Sequence, residues 1–130
     1  MVLELTTRHQ EATALLQKAE EALRNELATL RQQAAVAAEH GDLATEIAAY
    51  QKILELDPNN LKVEAKLKAA QQEIPRRVEE MYRDGVDHYA KRQYQEALKI
   101  FETLLKLQPE HAKARDAARN IKEKMIQTGQ

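Results

Sequence analysis

A chain of 130 residues with 43% hydrophobic side chains carries enough apolar material for one modest domain, and its 20 basic and 21 acidic residues leave a net charge of −1. That balance gives no overall field to hold nucleic acid or an anionic membrane, so no nucleic-acid partner is expected. Three glycines, three prolines, four tyrosines and one phenylalanine, set among abundant Ala, Leu, Glu, Lys, Arg and Gln, favour an all-α chain with no sheet.

The charge is unevenly spread: residues 1–60 hold five basic and ten acidic side chains, residues 61–130 hold 15 and 11. That asymmetry is either the basis of an antiparallel self-association or simply a solvated surface. Cysteine is absent, which excludes disulfides, thiol nucleophiles and thiolate metal sites but does not choose a compartment; a soluble cytoplasmic setting is favoured slightly over a periplasmic one. Met1-Val-Leu-Glu-Leu5 lacks the basic start and apolar centre of a signal peptide, and the longest apolar run is only a few residues, so no membrane insertion is expected.

Thr7-Arg-His-Gln10 has the form of a capping box, and periodic apolar residues begin directly after it, so the first helix is expected from about residue 8 to 40. Leu16, Leu23, Leu30 and Ala37 recur every seven residues, with Ala12, Ala19, Leu27 and Ala34 alongside. Such a helix would be roughly 48 Å long, longer than any partner in the chain, unless it breaks near Asn25. The seam Leu16, Leu23, Leu30 is therefore a candidate for self-association into a homodimer.

Gly41-Asp42 reads as a tight turn between antiparallel helices, because Gly41 can take the left-handed conformation and Asp42 can cap the next helix. That second helix runs to Leu56, where Asp57-Pro58-Asn59-Asn60 stops it. Residues 61–73 form a weakly amphipathic helix. Pro75 then starts a new helix or kinks one running from 61 to 92; the kinked form is preferred because Leu67, Ala70, Ile74, Val78 and Met81 keep one phase through the proline. Tyr94, Ala97, Leu98, Phe101, Leu104 and Leu105 mark a strongly amphipathic helix ending before Pro109, and Ala114, Ala118, Ile121 and Met125 mark a last one over about 110–126, with a frayed end at Thr128-Gly129-Gln130.

The prolines 58 and 109 lie 51 positions apart, and the stripe before each is the same: Ile47, Tyr50, Ile53, Leu54 and Leu56 stand where Leu98, Phe101, Leu104, Leu105 and Leu107 stand. With Gly85, Ala97, Phe101 and Pro109 in the second copy, and Ala34, Tyr50, Pro58 and the Gly41-Asp42 turn in the first, the chain resembles the tetratricopeptide repeat family, whose unit is a 34-residue helix-turn-helix. Met81, Asp84 and His88 depart from that pattern, as does Glu46, which stands at a position for a small residue and should tilt outward or loosen the first pair.

The resemblance implies a short right-handed solenoid of antiparallel helix pairs. Its parts would be an extension over 1–27 and a repeat domain over 28–130, with copies at about 28–60 and 78–111, an inserted helix at 61–75 and a capping helix at 110–126. It also implies a scaffold that binds a peptide or helix of a partner protein in the concave groove of its first helices. The groove positions are Arg31, Tyr82, Arg83, Val86 and Tyr89: Tyr82, Val86 and Tyr89 recur at spacings of four and three beside the Met81-Gly85 line, and Arg83 could fix the polarity of a bound chain, unless the helix over 61–73 or the N-terminal helix covers that face and makes both tyrosines core. Arg31, Ala35, Tyr82 and Val86 do not make the family's clamp for a terminal carboxylate. Phe101 and Tyr50 are expected in the cores of their copies.

No chemistry competes with that reading. His9, His40, His88 and His111 are scattered, Asp84 with His88 being the nearest approach to a metal or acid–base pair, so no metal is expected. Glycines 41, 85 and 129 are isolated, which excludes a phosphate loop, and serine is absent, so neither cofactor binding nor catalysis is expected. Arg76-Arg77 and the lysines between 62 and 68 form a basic patch with interleaved acids and no aromatic platform, which reads as a solvated surface.

Overall fold

A computed structural model describes residues 2–129, the side chain of Val2 excepted. Among the described residues there are six helices and no strand: α1 (Val2–Glu39), α2 (Leu43–Leu56), α3 (Leu61–Gln72), α4 (Ile74–Ala90), α5 (Tyr94–Leu107) and α6 (Ala112–Thr128). α1 packs on α2, α4 on α5 and α5 on α6. The protein is thus all-α, built of helical hairpins with a long first helix, and no described helix is long and apolar enough to cross a membrane. Contacts group the chain into two compact units, residues 1–67 and 68–130.

α1 is unbroken at Asn25 and begins well before residue 8. The expected capping box does not form: the Thr7 hydroxyl donates back to the Leu3 carbonyl at 2.9 Å, inside a helix that has already started. α2, with 14 residues, is only about 21 Å long. Folding back from the turn, it buries Leu27, Leu30, Ala34 and Ala37, while every residue from 3 to 26 is exposed. Leu30, at 7% exposure, is therefore core of the first unit and cannot serve the self-association seam, whereas Leu16 (60%) and Leu23 (40%) remain open.

The 51-residue offset extends well beyond the prolines. Gly41 (φ 70°) and Arg92 (φ 62°) both take the left-handed conformation that turns one helix into the next. Asp42 N donates to Ala37 O and Gln93 N to His88 O, and the two N-cap residues share φ −86°. Asp57 and Gln108 close α2 and α5 with φ near −138° and with bonds to Ile53 O and Leu104 O. At the start of the next helix in each case, Asn60 Oδ1 accepts from Val63 N and His111 Nδ1 accepts from Ala114 N. The inserted helix and the capping helix therefore start alike, with Val63 and Ala70 buried in α3 at the offsets of Ala114 and Ile121 in α6, but α6 packs on α5 whereas α3 has no comparable packing on α2, and the two units divide within α3. The helix pair α1–α2 is matched by α4–α5, and the first 21 or so residues of α1 lie outside the match.

The continuous kinked helix expected over 61–92 is two helices. Pro75 has no N–H to donate into a preceding turn, so the ladder ends at Gln72 and restarts at Ile74 with the proline in the first turn, although Glu73 keeps helical dihedrals (φ −77°, ψ −17°). Gly129 (φ 75°) caps α6 in the left-handed conformation; Gln130, the end of the expected frayed tail, lies outside the described residues.

In the second unit Val78, Tyr94, Ala97, Phe101, Leu104, Ala114, Ala118 and Ile121 form one buried cluster. At Gly85 the Phe101 ring of α5 lies against the α4 backbone: a Cβ there would stand 2.6 Å from Phe101 Cζ. In the first unit the counterpart of Ala97 is Glu46, which sits half-buried with its carboxylate accepting the Tyr50 hydroxyl at 2.9 Å. The polar head that should have burdened the helix pair is thereby partnered.

Candidate functional site

Helical geometry decides which α4 side chains stand beside the core. Val78, Met81 and Gly85 point into it, and the next stripe round, Tyr82, Val86 and Tyr89, flanks it on the side facing α6. These three side chains come together with Ala117 and Asn120 of α6 around a groove of about 210 Å³ floored by Phe101. The two tyrosines are half-buried and Val86 is 44% exposed.

The aromatic groups hold one another in place. Tyr82 meets Phe101 edge-on, with centroids 5.8 Å apart and an interplanar angle of 61°. On its other side the His111 ring lies 5.5 Å away, fixed because Nδ1 accepts the Ala114 N–H at 3.0 Å as the cap of α6. Tyr89 lies 5.6 Å from Tyr94, and the Lys124 ammonium stands 5.6 Å from the centroid of the Tyr89 ring. An apolar floor with a cation and an amide at the rim results.

Arg83 does not join this groove. Its guanidinium bonds Glu79 at 2.5 Å, one turn back on the exposed side of α4, because position 83 lies a further 100° round the helix from Tyr82. Arg31 belongs to the first unit and lines another pocket, of about 350 Å³, with Ala34, Ala35 and Tyr50 below it and Lys62 and Lys66 from α3. Under the 51-residue offset Arg31 corresponds to Tyr82, Ala35 to Val86, Tyr50 to Phe101 and Lys66 to Ala117. One groove is built twice, with a cationic lining in the first copy and an aromatic lining in the second.

Burial, and then the hydrogen bond to Glu46, push the Tyr50 hydroxyl up to about 12, which keeps it a neutral donor in the wall of the first pocket.

Ala117, Asn120 and Lys124 escape the sequence reading, as do Lys62 and Lys66 as pocket residues. The signal for the α6 set is present: residues 113, 117, 120 and 124 recur at spacings of four, three and four beside the core stripe 114, 118, 121 and 125. Asp84 and His88 do not pair with each other; His88 Nδ1 instead meets Gln93 Oε1 at 2.5 Å across the α4–α5 turn. Among the described residues no three His, Asp or Glu side chains cluster as metal ligands would. In the basic patch, Arg76 is taken up by Glu73 and by Glu80.

No protein-family model matches the chain, and comparison with curated proteins returns no match.

Proposed function

We propose that this chain is a non-catalytic binding module of the tetratricopeptide type, which holds a segment of a partner protein in the groove between α4 and α6. The observation that carries the reading is the convergence of Tyr82, Val86, Tyr89, Ala117 and Asn120 on one open groove with Phe101 beneath. Its volume of about 210 Å³ is below the ~300–1,000 Å³ of small-molecule sites and suits one large apolar side chain of a partner as anchor. Tyrosines supply wide contact area with few rotors, as at interface hot spots. Asn120 is placed to bond a backbone amide of the bound segment, and Lys124 favours an acidic side chain next to the anchor. Arg31, Lys62 and Lys66 give the corresponding pocket of the first copy a preference for carboxylates.

Selection of peptides from a random display library against the intact chain tests this. The expected consensus is an apolar residue with an acidic neighbour, and the selected peptides should lose binding by at least ~10-fold to Val86→Arg, whose melting point should stay near that of the parent because position 86 is exposed. Peptides that bind parent and Val86→Arg equally would place the binding surface elsewhere.

A further inference from the structure

We propose that residues 3–26 of α1 pair antiparallel with the same segment of a second copy, in a register that sets Leu16 against Ala12 of the second copy and Leu5 against Leu23. This interface is separate from the groove on α4 and stands or falls without it.

The starting observation is continuity. Leu5, Ala12, Leu16, Ala19 and Leu23 lie on the same side of α1 as Leu27, Leu30, Ala34 and Ala37, the face that α2 buries. Burial stops where α2 ends. The face itself runs on, with Leu5, Leu16 and Leu23 at 65%, 60% and 40% exposure.

The residues on the open part specify their occupant. Positions 9, 16 and 23 and positions 5, 12, 19 and 26 form the two alternating rows of a seven-residue repeat. In a parallel pair each residue would face itself. Wide Leu16 layers would then alternate with narrow Ala12 and Ala19 layers, and Glu26 would oppose Glu26. In an antiparallel pair one row faces the other. Leu16 then meets Ala12, Ala19 meets His9 and Leu5 meets Leu23, so each large side chain but the end leucines faces a small one and the spacing is even. Leu15, which is 67% exposed, is brought beside its own copy near the two-fold axis.

The extent of α2 sets the register. Sliding the pair by one heptad would set Leu5 of one chain against Leu30 of the other, and Leu30 is already buried. Sliding it the other way would pair Leu5 with Leu16 and leave Leu23 uncovered, so the register centred near residue 14 is the one that covers the open face while avoiding Leu30. In that register Arg8 flanks Ala22 and Glu20 flanks Thr6, so no like charges are opposed. Thr13, flanking its own copy, has its hydroxyl bonded to His9 O at 2.8 Å and can be covered without losing a partner.

Twenty-four residues give a contact roughly 36 Å long. Covering about a third of each helix surface over that length removes on the order of 1,000 Å² in total, at the lower end of specific interfaces, so the dimer should dissociate in the micromolar range.

Sedimentation of the intact chain between about 1 and 300 µM should show a monomer–dimer equilibrium, and Leu16→Glu with Leu23→Glu should weaken it by at least ~100-fold without loss of helicity. The chain has no cysteine, so introduced ones report geometry. Ala12→Cys mixed with Leu16→Cys should yield mixed disulfide dimers under mild oxidation, with little cross-linking of either variant alone. A monomer throughout that range overturns the proposal. So does cross-linking of Leu16→Cys mainly to itself, which would mean a parallel pair, or to Ala19→Cys in preference to Ala12→Cys, which would mean a different register.

Discussion

The two copies of the helix pair share their turns, caps and buried stripe, yet they solve the same packing problem with opposite chemistry. In the second, Gly85 leaves room for the Phe101 ring and Ala97 faces it, so the junction of α4 and α5 is wholly apolar. In the first, Ala34 occupies the glycine position, and Tyr50 and Glu46 replace Phe101 and Ala97 and satisfy each other through a hydroxyl–carboxylate bond. The left-handed turn and the terminating proline keep the backbone geometry common to both copies, while the side chains at the helix junction differ together. The same divergence reaches the pockets above the junction, one ringed by Arg31, Lys62 and Lys66 and the other by Tyr82, Val86 and Tyr89. The frame is common and the lining of each pocket is local.

The largest effect should come from removing the apolar half of that comparison. Phe101→Ala deletes a ring that is 1% exposed and should cost about 3–5 kcal/mol, measured by chemical denaturation. A loss below about 1 kcal/mol would mean that the ring is not the centre of its unit.

Exchanging the small residues sharpens the contrast. Gly85→Ala adds a Cβ 2.6 Å from one ring carbon of Phe101 and 2.7 Å from another, so this ring, which is 1% exposed and floors the groove beside Tyr82, must shift. Overpacking of about 1–3 kcal/mol then exceeds the ~1 kcal/mol that alanine gains as a better helix former. A net loss of up to about 2 kcal/mol is expected. The mirror change, Ala34→Gly, should lose about 1–2 kcal/mol, ~1 through helix propensity and the rest through loss of a buried methyl, since Ala34 is 3% exposed. If Gly85→Ala melts higher than the parent, the ring yields and the close approach is not what fixes glycine there.

Legibility in the sequence divides the same way. The turns at Gly41, Pro58 and Pro109 and the stripe through Phe101 can be read because each depends on one residue type or one spacing. So can the stripe Tyr82, Val86, Tyr89. The shared start of α3 and α6 cannot, since their matching buried positions pair Val63 with Ala114 and Ala70 with Ile121, which share burial but little else. Periodicity puts Leu30 in the seam because it marks an apolar face without saying which neighbour covers it; the length of α2 decides that. Pro75 misleads because a stripe can hold its phase through a residue that still interrupts the hydrogen-bond ladder. Arg83 shows the limit of sequence proximity: one position from Tyr82, it turns to Glu79 instead.

A smaller effect tests the polar junction. Tyr50→Phe should cost about 1 kcal/mol near pH 7 through the lost bond to Glu46. The variant should also differ in alkaline solution. The phenol loses its proton near pH 10 when unfolded and near 12 when folded, so the folded state holds the proton more tightly in that window. Its contribution is complete below pH 10 and is lost as the pH rises toward 12. Stability of the parent should therefore fall more steeply than that of Tyr50→Phe between pH 10 and 12; parallel curves would show that the hydroxyl is not held neutral by its surroundings.

The smallest change separates the frame from the proposed binding surface at a single residue. His111 caps α6 through Nδ1 and also stacks beside Tyr82, whereas its counterpart Asn60 caps α3 through Oδ1. Asparagine is among the best N-cap residues, so His111→Asn should preserve the cap and shift stability by less than about 0.5 kcal/mol, while His111→Ala, which loses it, should cost about 1 kcal/mol. Both variants remove the ring from Tyr82. Peptides selected on the groove should therefore weaken to a similar extent with either substitution, although only the alanine lowers the melting point appreciably. If His111→Asn costs as much stability as His111→Ala, the ring contact and not the cap is what holds the start of α6, and the groove floor and the helix frame are one structure after all.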